Sequence, residues 1–301
     1  MWGGCVALQR RSGARRAAGP SEGALTLRAE NPSGWLWSRR GITYSLRPAP
    51  APGSPLNVRT FASEQEAAAA CAALIATALR DKPSLVLGLP TGRTPLNVYR
   101  ELVALHAHGQ ADMSQASVFT LDEFLGVPPE DPASFRAYME RHLYQHVNLA
   151  RERIHGFDGS AEQAEQECAR YDAELDAAGG LDLLLLGIGT NGHVAFNEPG
   201  ESLQACCHRA RLSRETRQGL AALFGDNVSR VPLAALSLGM SALLQARRVV
   251  LLAFGVNKAA AVTGLVRGPL TTHCPASFLQ LHRDVEVWLD TAAARGLEST
   301  R

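Results

Sequence analysis

Lysine is scarce in this chain: only Lys82 and Lys258 stand among its 30 basic residues, the rest being arginine. Long apolar runs are missing too. No stretch approaches the roughly eighteen consecutive apolar residues of a membrane-spanning helix, so a bilayer-spanning protein is excluded. The six cysteines (5, 71, 168, 206, 207, 274) show no C-x-x-C and no paired Cys/His spacing, so neither a zinc site nor a disulfide framework is indicated. Reduced thiols in a cytoplasm fit best, and the adjacent Cys206 and Cys207 read as small buried residues rather than as a redox pair. The glycine-rich nucleotide signature G-x-x-x-x-G-K-[ST] is absent.

The formal charge of +1 divides unevenly. Residues 1–55 hold eight Arg and two Glu, or +6, which leaves −5 by difference over residues 56–301. A mildly acidic body argues against a nucleic-acid partner, which would call for a basic stripe on the folded part. Residues 1–55, rich in Arg, Ala, Gly and Pro, show no sustained helical or strand period. They read as an acid-poor targeting peptide or as a non-native extension; a disordered extension that adds no chemistry is the favoured expectation. The folded domain is expected over 56–295.

From Leu56 onward, helical and strand periods alternate, the pattern of an α/β fold. Helices are predicted at 63–81, 95–109, 132–147, 161–180, 214–225, 233–246 and 257–268. Strands are predicted at 84–90, 117–123, 181–189, 247–255 and 284–290. Runs such as "LDLLLLGIG" are apolar on nearly every residue, as expected of strands buried on both faces. The fold class is therefore a single domain with a mostly parallel open sheet covered by helices on both faces, a Rossmann-like three-layer arrangement. In such sheets ligands bind beyond the carboxyl ends of the strands.

Three loops at those ends carry chemistry. "LPTGRTP" (89–95) runs from a strand through Thr91, Gly92, Arg93 and Thr94 into a helix expected to begin at Pro95, whose ring presets the first turn. Free first-turn amides, hydroxyls and the helix dipole suit a phosphate, although a tight turn capped by threonine has the same spacing. In "TLDEFLG", Asp122 is expected to end an apolar strand, where a partly desolvated carboxylate serves as a general base or merely caps the next turn. "GIGTNGHVAFNEPG" (187–200) places Asn191, His193 and Glu198 in a glycine-rich loop that lets backbone approach a ligand. A histidine beside a carboxylate can shuttle a proton near neutral pH, whereas a lone histidine is commonly a satisfied core residue. Arg217 and Lys258, each at a helix start, are candidate phosphate cations or solvated surface charges. Together these parts suit proton transfer on a small phosphorylated substrate.

The ordered set "LGLPTGRTP", "LDEFLG", "GIGTNGHVAFNEPGESL", "ETR", "FGVNKA" and "PASFLQLH" resembles the glucosamine-6-phosphate deaminase family over nearly everything from Leu56 to about Asp290. The resemblance implies a cofactor-independent isomerase/deaminase, with no metal, acting on a phosphorylated amino sugar. It assigns Asp122 to the C2 proton, His193 to ring opening and Glu198 to orienting His193, with Asn191 where some members have Asp. Thr91, Gly92, Arg93, Thr94, Arg217 and Lys258 would hold the phosphate. Glu201, His208, Ala210 and Arg211 do not match the activator site of allosteric members, so no activation by an N-acetylated sugar phosphate is expected. "NEPGESLQACCH" is similar to the galactosamine-6-phosphate branch, and the C4 epimer stays open, as does assembly into a homo-oligomer. The 6-phosphogluconolactonase motif continues Gly-His-Thr-Ala-Ser-Leu-Phe-Pro, which "GHVAFNEPG" departs from. A non-catalytic sugar-phosphate sensor would need degraded catalytic positions, and here they are intact.

Overall fold

The computed structural model describes residues 56–298 and, as backbone strand segments only, 7–9, 28–31, 34–39 and 42–46. The expected disordered or non-native character of residues 1–55 otherwise lies outside the described residues. Seven strands form one sheet in the order Asn57–Phe61, Val285–Asp290, Arg248–Ala253, Leu183–Gly187, Val86–Leu89, Ser117–Thr120 and Ile154–His155. Every neighbouring pair in it is parallel.

The apolar runs explain the layering. Side chains alternate across a strand, so Leu184, Leu186, Val249, Leu251, Val285 and Val287 enter one core, packed by the helices Ala164–Ala177, Met240–Gln245, Ala259–Arg267 and Thr291–Glu298. Leu183, Leu185, Leu87, Val250, Leu252 and Trp288 face the opposite core, under Glu64–Asp81, Leu96–Ala107 and Phe135–His142. A sheet with cores on both sides has no polar face to show, which is why "VLGL" and "LLLLG" carry no alternation. Among the described residues, no helix is long and apolar enough to cross a membrane.

A second sheet corrects two expectations. His208–Arg211, Ala234–Ser237 and Asp122–Phe124 form a three-stranded antiparallel sheet beyond the carboxyl edge of the main one. Residues 233–246, expected as one helix, divide into the strand Ala234–Ser237 and the helix Met240–Gln245. Alanine and leucine favour helix in isolation, but Ala234–Ser237 is fully buried between two strands, and tertiary pairing overrides that preference. Asp122 does not end the parallel strand, which stops at Thr120; it opens the short antiparallel strand. Phe124, Phe135, Phe196 and Phe224 then form a small aromatic core beneath this sheet, with Phe124 and Phe135 centroids 4.5 Å apart.

Candidate active site

Four adjacent strands of the parallel sheet, Arg248–Ala253, Leu183–Gly187, Val86–Leu89 and Ser117–Thr120, run directly into the four segments holding the predicted residues. Parallel strands end on the same edge, so neighbours in sheet order place Lys258, the 191–198 loop, the 91–94 loop and Asp122 around one crevice.

The histidine loop is shaped by close backbone approach. A Cβ on Gly189 would stand 2.4 Å from the His193 imidazole, so that position admits only glycine while the ring keeps its place. Gly192 has φ +86°, which suits glycine. The Asn191 Nδ2 donates to Glu198 Oε2 at 2.9 Å, and the Asn191 Oδ1 accepts from the His193 amide at 3.1 Å. Glu198 Oε1 also accepts from the Ser213 amide at 3.4 Å. His193 Nδ1 lies 3.9 Å from Glu198 Oε2 but only 3.3 Å from Thr216 Oγ1. Burial pushes the imidazole below its usual pKa, Lys258 adds to that, and Glu198 and Glu215 oppose it. His193 is therefore neutral at neutral pH.

Asp122 is reached through Ser237. The two are paired across the small sheet, and the Ser237 hydroxyl accepts from the Phe196 amide at 3.0 Å, tying Asp122 to the histidine loop. Burial pushes the Asp122 carboxyl up to about 8, with the neighbouring Glu123 adding to the effect. Glu123 serves the backbone instead. Its carboxylate accepts from the amides of Phe124 (2.8 Å), Phe135 (3.0 Å) and Arg136 (2.9 Å). It thus caps the helix Phe135–His142, burial raising its pKa to about 7 while the three amides pull it down.

In the 89–95 turn, Gly92 has φ +100° and open space beside it, and the helix proper starts at Leu96. Pro95 is its N-cap rather than its first residue, with φ −80° and no side-chain cap, so the helix N-terminus is left open. Tyr99 donates its hydroxyl to the Pro90 carbonyl, and Tyr138 donates to the Gly92 carbonyl at 2.6 Å. Both carbonyls are held by phenols from the helix layer. Arg93 is exposed, which the turn accepts at ordinary φ. Lys258 is half-buried; burial lowers its pKa, the Arg93 guanidinium lowers it further, and Glu215 opposes. Among the described residues neither cation forms an ion pair, although Arg93 and Glu215 both act electrostatically on Lys258. Two donors of Arg217 go to main chain: its Nε donates to Val231 O at 3.2 Å and its Nη2 to Val228 O at 2.7 Å, anchoring the 228–231 loop. Thr91 and Thr94 are half-buried in the turn.

Ser213, Glu215, Thr216, Tyr99 and Tyr138 join the site without having been expected there from the sequence. Ser213 caps the helix Arg214–Leu220 by accepting from the Thr216 amide at 3.1 Å, and S-x-x-T before a helix was a legible capping signal. Glu215 accepts from the Thr190 hydroxyl of the histidine loop. The tyrosines had no signal at all, since their acceptors are main-chain carbonyls 9 and 46 residues away.

Known proteins share this sequence pattern and fold. The family described as glucosamine-6-phosphate isomerases/6-phosphogluconolactonase matches residues 60–288. Glucosamine-6-phosphate deaminase 1 of Giardia intestinalis is 44% identical over 226 residues, 75% of this chain and 85% of its own length. Its counterpart from Bacillus velezensis is 39% identical over 241 residues, 80% of this chain and all of its own. The solved structure of a monomeric glucosamine-6-phosphate deaminase superposes with a TM-score of 0.78 at 37% identity, covering 80% of this chain and 100% of that one. The 6-phosphogluconolactonase of Trypanosoma brucei, at 21% identity and a TM-score of 0.62, shares the fold. With the match running through every loop of the crevice, the chain belongs to the glucosamine-6-phosphate isomerase/6-phosphogluconolactonase family.

Proposed function

We propose that residues 56–295 form a domain that isomerises and deaminates an amino-sugar 6-phosphate, converting glucosamine 6-phosphate to fructose 6-phosphate and ammonia. The observation that carries this reading is the arrangement, among the described residues, of a buried carboxyl group without a counter-ion (Asp122), a histidine beside a carboxylate (His193 and Glu198), and two cations that form no ion pair (Arg93 and Lys258) around one crevice. A phosphate dianion fits between Arg93 and Lys258 at the open helix N-terminus, with the 91–94 turn supplying amides and hydroxyls. Arg217 contributes through the donor not spent on the 228–231 carbonyls, and by holding the wall of the crevice.

The phosphate fixes the far end of the sugar, which converts the remaining steps into intramolecular ones. His193, neutral, accepts the proton of the anomeric hydroxyl and returns it to the ring oxygen as the ring opens. Asp122, when ionised, removes the C2 proton and delivers it to C1 while a proton of the C2 ammonium passes to the C1 oxygen, leaving an iminium at C2; water adds there and ammonia departs. Glu198 stabilises His193 while it carries the extra proton, and Asn191 fixes the Glu198 carboxylate.

The test is ammonia release from glucosamine 6-phosphate and galactosamine 6-phosphate in parallel, with purified full-length protein. Turnover of the glucosamine epimer is expected. Preference for the galactosamine epimer would transfer the reading to that branch, and turnover of 6-phosphogluconolactone alone would overturn it.

A further inference from the structure

Two carboxylates near Asp122 and His193 are fully occupied. Glu123 takes three main-chain amides, and both Glu198 oxygens have donors, the Asn191 amide group and the Ser213 main chain. Glu215 differs. Its Oε1 accepts from the Thr190 hydroxyl, and among the described residues no donor meets its Oε2. It is exposed, in the first turn of the helix Arg214–Leu220, where a glutamate would ordinarily extend into water. Thr190, the residue before Asn191, draws its carboxylate to the histidine loop instead.

From that place its charge is felt at both ends of the crevice. Burial lowers the pKa of His193 and of Lys258, and Glu215 opposes the shift in each. A negative charge held there ranks ligands by their own charge. A phosphate dianion is attracted by Lys258 and Arg93 and repelled by Glu215. Glucosamine 6-phosphate also carries an ammonium at C2, which Glu215 attracts. Fructose 6-phosphate, the same carbon chain after ammonia has left, carries none. We infer that Glu215, held by Thr190, is a specificity-determining residue that separates amino-sugar phosphate from neutral sugar phosphate by charge, favouring the substrate over the ketose product. This deepens the function proposed above and rests on it. It also gives a reason for a carboxylate beside a phosphate cation. The site gives up some of the phosphate affinity that substrate and product share, and keeps what only the ammonium provides; discrimination is a difference of affinities, and a repulsive group is one way to create it.

Glu215→Gln removes the charge and keeps the shape and an acceptor for Thr190. With purified full-length protein at low salt, the calorimetric Kd of inorganic phosphate is expected to fall about threefold to tenfold, and the Ki of fructose 6-phosphate by a similar factor. KM for glucosamine 6-phosphate is expected to fall less or to rise, because the same substitution removes the partner of the ammonium. The ratio of fructose 6-phosphate Ki to glucosamine 6-phosphate KM should therefore drop at least about threefold. Salt of about 0.5 M screens an exposed charge, so the phosphate effect should shrink to less than half its low-salt factor. Unchanged phosphate affinity in E215Q would overturn the inference. So would phosphate, product and substrate all binding more weakly, the mark of a residue that only holds its helix in place, or an unchanged ratio. An equal effect at both salt concentrations would reject charge as the cause. Wild-type protein inactive on both amino sugars would instead sink the proposed function; calorimetry of glucosamine 6-phosphate against fructose 6-phosphate, in wild type and E215Q, would still decide whether Glu215 ranks ligands by charge.

Discussion

A carboxyl group with the usual aspartate pKa would be ionised throughout the neutral range; burial and the adjacent Glu123 carry Asp122 to about 8 instead. Because its folded pKa lies above its unfolded one, the folded chain holds this proton more tightly, and stability falls as pH rises from about 4 toward 8. Asp122→Asn cannot charge. Its melting temperature is expected to exceed that of the wild type by a few degrees at pH 8, a gain that shrinks toward pH 5; an equal offset at both pH values would contradict the assigned burial cost. The same variant is expected to lose C2 proton exchange with solvent and to keep its affinity for phosphate-bearing inhibitors. In the wild type, kcat/KM should climb with pH through about 8 as Asp122 ionises in the free protein. A profile flat from about pH 6.5 to 8.5 would remove Asp122 from its role. Gly189→Ala tests the histidine loop at the same scale. A Cβ 2.4 Å from the ring forces His193 aside, so kcat is expected to drop about 100-fold with little change in phosphate affinity.

Among elements, the short helix Phe135–His142 links the two halves of the site. Ser134 and Glu123 cap its N-terminus, and Tyr138, one turn in, holds the Gly92 carbonyl. Tyr138→Phe removes that hydroxyl only. A single such bond contributes on the order of 1 kcal/mol, so KM is expected to rise about threefold to tenfold with kcat nearly unchanged; a fall in kcat at constant KM would reject the link to phosphate binding. Five of the seven parallel strands were legible because residues buried on two faces leave continuous apolar runs, as in Leu183–Gly187, whereas the edge strands Asn57–Phe61 and Ile154–His155, largely not buried, were not. The strands His208–Arg211 and Ala234–Ser237 were not, since "HRAR" and "AALS" carry no strand signature and owe their conformation to mutual pairing with Asp122–Phe124.

For the whole molecule, two of the four positions where allosteric relatives are expected to bind an activator are unsuited to an anion. Ala210 is buried in the aromatic core and Glu201 is acidic. The rate curve is therefore expected to be hyperbolic, with an N-acetylated sugar phosphate shifting half-saturation by less than about twofold. A sigmoidal curve abolished by that compound would refute this.

The residue types of the crevice, its glycines and the strands that lead to it were determined by the sequence alone. Side-chain chemistry and hydrophobic period are local properties, readable from a short stretch of chain. The order of the strands, the proton held by Asp122 and the Thr216 hydroxyl at His193 were decided only by the tertiary structure. Each depends on which groups distant in the chain are brought together and on how much water they exclude, and neither is written in local spacing.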